Sequence, residues 1–459
     1  MKKARELLLI YPRLRYPSGD VPLGILYLAG KVRKELGIKP DIIDLAFFSK
    51  PLKALSELIR ENRYSWIAIS AMITMAKPAK SIARLIRKIQ PEAKIILGGP
   101  HPTTLPERCA GEEFDFLVLG EGEESLVELL KKGSGERVLG VWFRKGSEWI
   151  KNPPRPALSD LDQLPFPAFD LIDLKKYMKL WFQLDTLGRP VLGTNIIASR
   201  GCPYRCSFCQ PTLEKIFGKR LRKRSSENII QELSWLKERF GIQGFVFVDD
   251  TILVDKTWCK DLAEKLINSQ LGLVFGANVR AEQVDEDILR ALYEAGLRKI
   301  YLGVEAYSDR VRNDILGKSL SREDIERAVN IARKSGIKVQ GYFMIGAPTE
   351  TRGEVKQTLL YARRLGLDDI TINITTPLPA TYLYEKYKSE ISLSEEEFDY
   401  YRKWAFKPSE LNQQWLRKEQ ILGYMAFYLR PKKFFKLLWQ NLSPRMLART
   451  GLKLKRVLG

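Results

Sequence analysis

Three cysteines crowd into one run, Arg200-Gly201-Cys202-Pro203-Tyr204-Arg205-Cys206-Ser207-Phe208-Cys209. The spacing is C-x3-C-x2-C. Two of the intervals are too short for disulfide geometry without a tight turn. Metal binding is the commoner use of such spacing inside a cell. Iron–sulfur clusters usually take four cysteine ligands. Three thiolates leave one iron open, and an open metal position is where a substrate or cosubstrate binds. The alternative is a structural zinc site or unrelated free thiols. Zinc asks for a fourth Cys or His nearby, yet Cys259 lies about 50 residues on and His101 is the only histidine.

The run resembles the cluster loop of the radical S-adenosylmethionine (SAM) enzymes, CxxxCxΦC, with Phe208 at the aromatic position. That resemblance implies that Cys202, Cys206 and Cys209 hold a [4Fe-4S] cluster. It implies that SAM chelates the open iron through its amino and carboxylate groups. An electron from the cluster would then cleave SAM to a 5′-deoxyadenosyl radical, and a donor such as ferredoxin or flavodoxin is implied as a partner.

The length of 459 residues suits two to three domains. No run of about 18 apolar residues appears, so no membrane span is expected. The short Leu/Ile run after Met1-Lys2-Lys3 is too brief for a signal peptide and reads as a first strand. Three of the five cysteines are clustered, which points to a reducing cytoplasm. Cys109 and Cys259 read as buried structural thiols. The net charge of +21 is uneven. After Glu419 there is no acidic residue, while Arg430, Lys432, Lys433, Lys436, Arg445, Arg449, Lys453, Lys455 and Arg456 follow. Residues 415–430 read as a closing helix packed on the second domain. For 431–459, where Phe434, Phe435, Leu438 and Trp439 interleave with the cations, the expectation is contact with an anionic membrane surface. Nucleic acid is not the expected partner, since no RNA-binding module is evident.

Residues 5–130 alternate short apolar runs with amphipathic stretches. Strands are expected at 6–11, 40–45, 66–70, 93–97 and 116–119, with helices at 24–36, 52–61 and 77–89. Such alternation implies βαβ units and a parallel sheet. The reading is an α/β, doubly wound, Rossmann-like domain over 1–150, with its ligand at the carboxyl ends of the strands. A small β extension is expected at 138–143 and 149–151. Pro153, Pro154, Pro156, Pro165 and Pro167 mark a linker over 151–190. A second series follows over 191–382, with strands at 194–198, 244–248, 273–277, 300–304, 338–345 and 370–375. Helices lie between them, which makes a partial (β/α)6 barrel whose chemistry sits at the strand carboxyl ends. The cysteine loop follows the first of these strands. A helical, basic region, 383–459, completes the chain.

In the first domain, Val21-Pro22-Leu23-Gly24, Ser70-Ala71-Met72, Gly98-Gly99-Pro100-His101-Pro102 and Gly120-Glu121-Gly122-Glu123 occur in that order. Together, upstream of the cysteine loop, they resemble the cobalamin-binding domain of class B radical SAM enzymes. The resemblance implies cobalamin as a third cofactor, with Ser70, Gly98 and Gly99 beside it. The D-x-H-x-x-G motif that supplies a cobalt-ligating histidine in many cobalamin proteins is absent. The cobalt is then expected to lack a protein histidine on its lower face. Within the barrel, Asp249-Asp250 ends the second strand, where the family binds the SAM amino group or where an aspartate caps a helix. The resemblance makes Asp249, Glu305 and Arg280 candidate SAM contacts, Arg280 through the SAM carboxylate. Tyr342–Glu350 matches the family's glycine-bearing strand end near the adenine.

The activity implied is methyl transfer to an unactivated carbon of an organic or lipid substrate. The rivals are radical cyclisation or C–C bond formation on a tetrapyrrole or isoprenoid lipid, and a non-enzymatic cobalamin- or metal-responsive module.

Overall fold

The computed structural model describes residues 3–14, 17–394, 397–398, 403–431 and 433. The chain forms two compact units, Met1–Lys176 with Thr212–Arg222, and Tyr177–Pro211 with Lys223–Gly459.

The first unit is a seven-stranded sheet. Its strands are β1 (Lys3–Tyr11), β2 (Asp41–Asp44), β3 (Asn62–Ser70), β4 (Lys94–Gly98), β5 (Phe116–Val118), β6 (Val141–Lys145) and β7 (Glu148–Lys151), in the order β2-β1-β3-β4-β5-β6-β7. β1 to β5 pair in parallel, and β6 and β7 add antiparallel at one edge. The expected β extension is therefore part of the main sheet. Side-chain alternation builds two cores. Leu8, Ile10, Ile67, Ile69, Ile95 and Leu97 meet α2 (Pro51–Glu61) and α3 (Ala76–Ile89) through Leu55, Ile59, Ile82 and Ile86. Leu7, Leu9, Ile96 and Val118 meet α1 (Leu23–Leu36) and α4 (Gly122–Lys132) through Ile25, Val32, Leu126 and Leu129. The period of two thus turns consecutive strand residues to opposite helix layers. The strand order reverses between β1 and β3, the crevice where such sheets bind ligands.

The proline-rich stretch is not a free connector over 151–190. Up to Lys176 it belongs to the first unit. Ala168 donates its N–H to the Leu26 carbonyl at 3.0 Å, and a Cβ on Gly30 would stand 2.7 Å from the Phe166 carbonyl. Glycine at position 30 lets this extended segment press onto α1. Proline has no backbone N–H to satisfy and a fixed φ, so the segment packs as an extended strap.

The second unit carries β8 (Gly193–Ile196), β9 (Gly244–Phe247), β10 (Val274–Val279), β11 (Leu297–Glu305), β12 (Lys338–Ile345) and β13 (Asp369–Ile374), all parallel, in sequential order. The helices between them are α5 (Ser226–Phe240), α6 (Lys256–Asn268), α7 (Glu286–Glu294), α8 (Arg322–Lys334) and α9 (Arg352–Arg364). This is the partial barrel, a curled parallel sheet. On its inner face the amino-terminal half is plugged. Trp181 is fully buried, donates to Asn195 Oδ1 at 2.9 Å, and leaves 2.2 Å for a Cβ on Gly193. The Gln183 carbonyl accepts from Lys299 Nζ at 2.9 Å and Tyr301 Oη at 2.7 Å. With the amino-terminal half filled, the open part of the inner face is the carboxyl-terminal half.

An exposed edge strand invites unwanted pairing. Here α10 (Gln413–Tyr428) covers β13: Gln420 Nε2 donates to the Ile372 carbonyl at 2.7 Å, and Tyr424 Oη accepts the Ile372 N–H at 2.8 Å. Residues 415–430 are thus a closing helix, as expected. The basic segment 431–459 lies outside the described residues, except for Pro431 and Lys433. Lys433 stands 3.4 Å over the Phe427 ring and donates to the Leu367 and Asp368 carbonyls. Among the described residues, no helix is long and apolar enough to cross a membrane.

Candidate active site

The cysteine loop leaves the carboxyl end of β8 and is fastened at several points. Cys209 and Gln210 donate their N–H groups to the Cys206 carbonyl at 3.1 and 3.0 Å, which closes a turn around the last two cysteines. Ser207 donates its N–H to Leu316 and its hydroxyl to Ile315, at 2.9 and 2.7 Å. In return its carbonyl accepts the Leu383 N–H at 2.8 Å. Gly317, at φ 62°, allows this approach, since a Cβ there would lie 3.1 Å from the Ser207 nitrogen. Gln210 Nε2 reaches back to the Cys202 and Tyr204 carbonyls. Phe208 packs on the apolar cluster of Ala306, Ile315, Ala347 and Leu383. The aromatic position of the motif is therefore an anchor for the loop's backbone.

Cys206 is buried, and Cys202 and Cys209 are partly covered. Burial pushes the Cys202 thiol up to about 11 and the Cys209 thiol well above its ordinary range. A ligating thiol must be deprotonated, so these three suit a group whose positive metal ions offset that cost. Among the described residues, no three of His, Cys, Asp or Glu converge on a point that one metal ion could share. A cubane cluster makes no such demand, because each thiolate takes its own iron. The soft, three-thiol donor set on one anchored loop fits a [4Fe-4S] cluster.

Asp249 and Asp250 divide two tasks. The Asp249 carboxylate is buried and accepts from the Ala198 N–H, the Ser199 N–H and the Ser199 hydroxyl. It fixes the strand end that launches the cysteine loop, so it is not free to receive the SAM ammonium. Asp250 makes no hydrogen bond or ion pair among the described residues. It keeps solvent contact, yet loss of hydration and the Asp249 charge push its carboxyl up to about 6. Its charge also reaches Cys202 and Cys209.

Arg280 differs from its expectation in the same way. It is buried, and every guanidinium nitrogen is engaged: Nη1 donates to Cys206 Sγ at 3.2 Å, Nη2 to the Lys318 carbonyl at 2.6 Å, and Nε to Glu282 at 2.5 Å. The group also lies 3.7 Å over the Tyr204 ring, inside the cysteine loop. It grips the loop through these contacts. Glu305, at φ 63° on a β11 irregularity, holds Lys318 Nζ at 2.5 Å in a buried ion pair. Both charges act on Cys209. Sequence reasoning missed Lys318, Tyr204 and the Arg280–Cys206 bond, which join residues far apart in the chain.

Glu350, at the end of the glycine-bearing strand β12, is buried. Its Oε2 accepts the Gly346 and Ala347 N–H groups at 2.6 and 2.9 Å, while burial raises its carboxyl from 4.5 to about 8. A raised folded-state value means the native state holds a proton that the unfolded chain releases above 4.5. Stability is therefore expected to fall between about pH 5 and 8, by about 1.4 kcal/mol per pH unit from this group. Glu350→Gln should flatten that slope in chemical denaturation. An unchanged slope would mean Glu350 ionises freely in the fold.

In the first unit, the parallel order brings Val21–Gly24, Ser70–Met72, Gly98–Gly99 and Gly120–Glu123 to one edge, the carboxyl ends of β1, β3, β4 and β5. Gly99 has φ 96°, and a Cβ there would stand 2.9 Å from Ser70 Oγ and 3.0 Å from Ala71 N. The tight approach of the β3 and β4 ends accounts for this glycine. Gly98 sits against Val118. At the β1 side the edge is open: a Cβ on Gly24 would meet nothing within 4 Å, and Met72 is exposed. His101 is buried, its backbone N–H on the Ala71 carbonyl. An open crevice at the switch point, without a histidine in its β1 loop, fits a cobalamin that takes no histidine from that loop.

Comparison with known proteins agrees with this geometry. The radical SAM superfamily model matches residues 196–362, and the B12 binding domain model matches 19–130. An uncharacterized methyltransferase of Pyrococcus horikoshii is 32% identical over 92% of this chain and 90% of its own length. The chain belongs to the cobalamin-binding radical SAM family. Its cofactors are a [4Fe-4S] cluster, SAM and cobalamin. Another relative of this radical SAM protein is the anaerobic magnesium-protoporphyrin IX monomethyl ester cyclase of Cereibacter sphaeroides, 26% identical over 92% of this chain and 69% of the cyclase. The fold matches that of the radical SAM methyltransferase TsrM from Kitasatospora setae, solved with cobalamin and a [4Fe-4S] cluster. The TM-score is 0.68 at 18% identity, covering 84% of this chain and 75% of that one.

Proposed function

We propose that this radical SAM enzyme transfers a methyl group from SAM to an unactivated carbon of a small organic molecule. The observation that carries the reading is the pairing of an anchored three-cysteine loop with an open switch-point crevice in one chain whose 32%-identical relative is named a methyltransferase. When bound, the cluster, SAM and cobalamin supply the radical and the methyl group. Cys202, Cys206 and Cys209 each hold one iron. Asp250, the uncommitted carboxylate of its pair, accepts a charge-assisted hydrogen bond from the SAM ammonium. Glu305, oriented by Lys318, offers a second polar contact. Ser70, Gly98 and Gly99 shape the edge against which cobalamin lies. A low-potential donor such as ferredoxin or flavodoxin provides electrons.

The test is an anaerobic incubation of reduced protein with methyl-labelled SAM and a small-molecule cell extract. A product that carries the label supports transfer. The relationship to a cyclase favours ring closure as the second reading, and a product that loses hydrogens without gaining label would replace the first. For cobalamin, the full-length chain loaded with cobinamide, which lacks the benzimidazole base of cobalamin, and reduced to Co(II) should show no nitrogen superhyperfine splitting in electron paramagnetic resonance. Such splitting would mean that a histidine ligates the cobalt.

The basic tail supports a further reading, contact of 431–459 with an anionic surface, at about 1 kcal/mol per cation. Co-sedimentation with anionic vesicles should disappear in a chain ending at Arg430. Equal sedimentation of both chains would leave the tail without that role.

A further inference from the structure

Arg280 is the one cation that touches a cysteine of the loop among the contacts described above. Its Nη1 lies 3.2 Å from Cys206 Sγ, its ring partner Tyr204 belongs to the same loop, and its Nη2 is pinned to the Lys318 carbonyl. Tyr204 is itself held: its hydroxyl accepts from Gln283 Nε2 at 2.6 Å, and Gln283 accepts from Thr251 Oγ1 at 2.7 Å. A buried guanidinium so clamped cannot swing away to neutralise a passing anion. Its charge is directed at one sulfur and is offset mainly by Glu282, at 2.5 Å on Nε. The side chain of Glu282 is 28% exposed, so solvent weakens that counter-charge.

We propose that Arg280 is a positioning residue that sets the reduction potential of the cluster through the Cys206 sulfur. The inference rests on the cluster reading above. Reduction adds one electron from a low-potential donor to the cluster. No bond forms or breaks, and the cluster's charge becomes one unit more negative. Net charge and hydrogen bonds to the sulfurs are what tune such potentials. A fixed cation donating to Cys206 stabilises the reduced form more than the oxidised one, because the sulfur carries more negative charge after reduction. Arg280 therefore raises the potential and eases electron entry. The ring of Tyr204 holds the plane of the guanidinium, and the Lys318 carbonyl holds its depth.

The experiment is a redox titration of the full-length, anaerobically reconstituted protein, following the reduced cluster by electron paramagnetic resonance. Iron is counted first. A parent chain without about four irons would refute the cluster reading itself, separately from this inference. With iron in place, Arg280→Gln should shift the one-electron equilibrium about tenfold toward the oxidised form, about 59 mV lower. Arg280→Lys, which keeps the charge, should recover at least half of that shift. Glu282→Gln, which leaves the thiol contact intact, should move the potential upward. That opposite sign tests the charge argument even where the arginine variants fail to load iron. Unchanged potentials in Arg280→Gln and Glu282→Gln would overturn the proposal. So would an Arg280→Lys value as low as that of Arg280→Gln, which would make the effect one of packing and not of charge.

Discussion

Replacing Cys202, Cys206 and Cys209 together with alanine is expected to abolish iron–sulfur assembly and SAM cleavage while leaving the fold in place. About four irons per chain in the parent should drop to background, since no ligand remains for any of the three irons. The fold survives because the loop is anchored by other atoms. Ser207 bonds Ile315, Leu316 and Leu383, Phe208 fills its apolar cluster, and Gln210 ties back to two loop carbonyls. Circular dichroism and thermal melting should therefore stay near the parent. A triple variant that keeps its full iron content would remove the cluster from these cysteines. A triple variant that unfolds would mean that the thiols have a structural task.

The second large effect is expected at the buried pair of Lys318 and Glu305, whose side chains are 7% and 8% exposed. Lys318→Met strands the Glu305 carboxylate without its partner. Breaking a buried pair from one side costs about 3–5 kcal/mol, because the remaining charge is neither solvated nor paired. The double variant Glu305→Gln with Lys318→Met should regain much of that loss. It removes both charges and leaves only a neutral amide to satisfy. Urea denaturation of the parent and the two variants measures this directly. A loss below about 1 kcal/mol in Lys318→Met would mean that water reaches the carboxylate. The charges of the pair also act on Cys209, so the single variant should lose iron more readily than the double.

The order of elements was legible because each signal was local. Alternating apolar runs and amphipathic stretches define βαβ units wherever they occur, and the cysteine spacing needs no partner to be recognised. The strand ends were less legible. β1 begins at Lys3 and β3 at Asn62, earlier than the apolar runs suggest, because polar residues at their starts still pair across the sheet. The protein partners of Asp249 and Arg280 were not legible for a different reason. Both sit at strand ends where the family binds SAM, but their partners are set by loops distant in sequence: Ala198 and Ser199 for one, Cys206 and Lys318 for the other. Adjacent residues at a strand end face opposite ways. Yet both aspartates lie just past the end of β9, whose four residues are all buried, so the strand pattern offers no choice between them. Gly99 shows the converse. Its glycine was expected to admit a ligand, yet the crowding of Ser70 and Ala71 already requires it.

The chain's passage between its two units constrains how such a molecule can be inherited. It enters the second unit at Tyr177, returns to the first for Thr212–Arg222, and leaves again at Lys223. The returning segment is not ornamental: Arg222 clasps Glu121 at 2.8 Å and donates to the Leu158 carbonyl at 2.5 Å. A single crossover in the gene between Lys176 and Thr212 would combine the first unit of one parent with the returning segment of the other. The clasp would then join residues that had not evolved together. Exchange of the whole cobalamin-binding unit needs three coordinated crossovers, before Tyr177, before Thr212 and after Arg222, so recombination separates the two units far less readily than a single junction would.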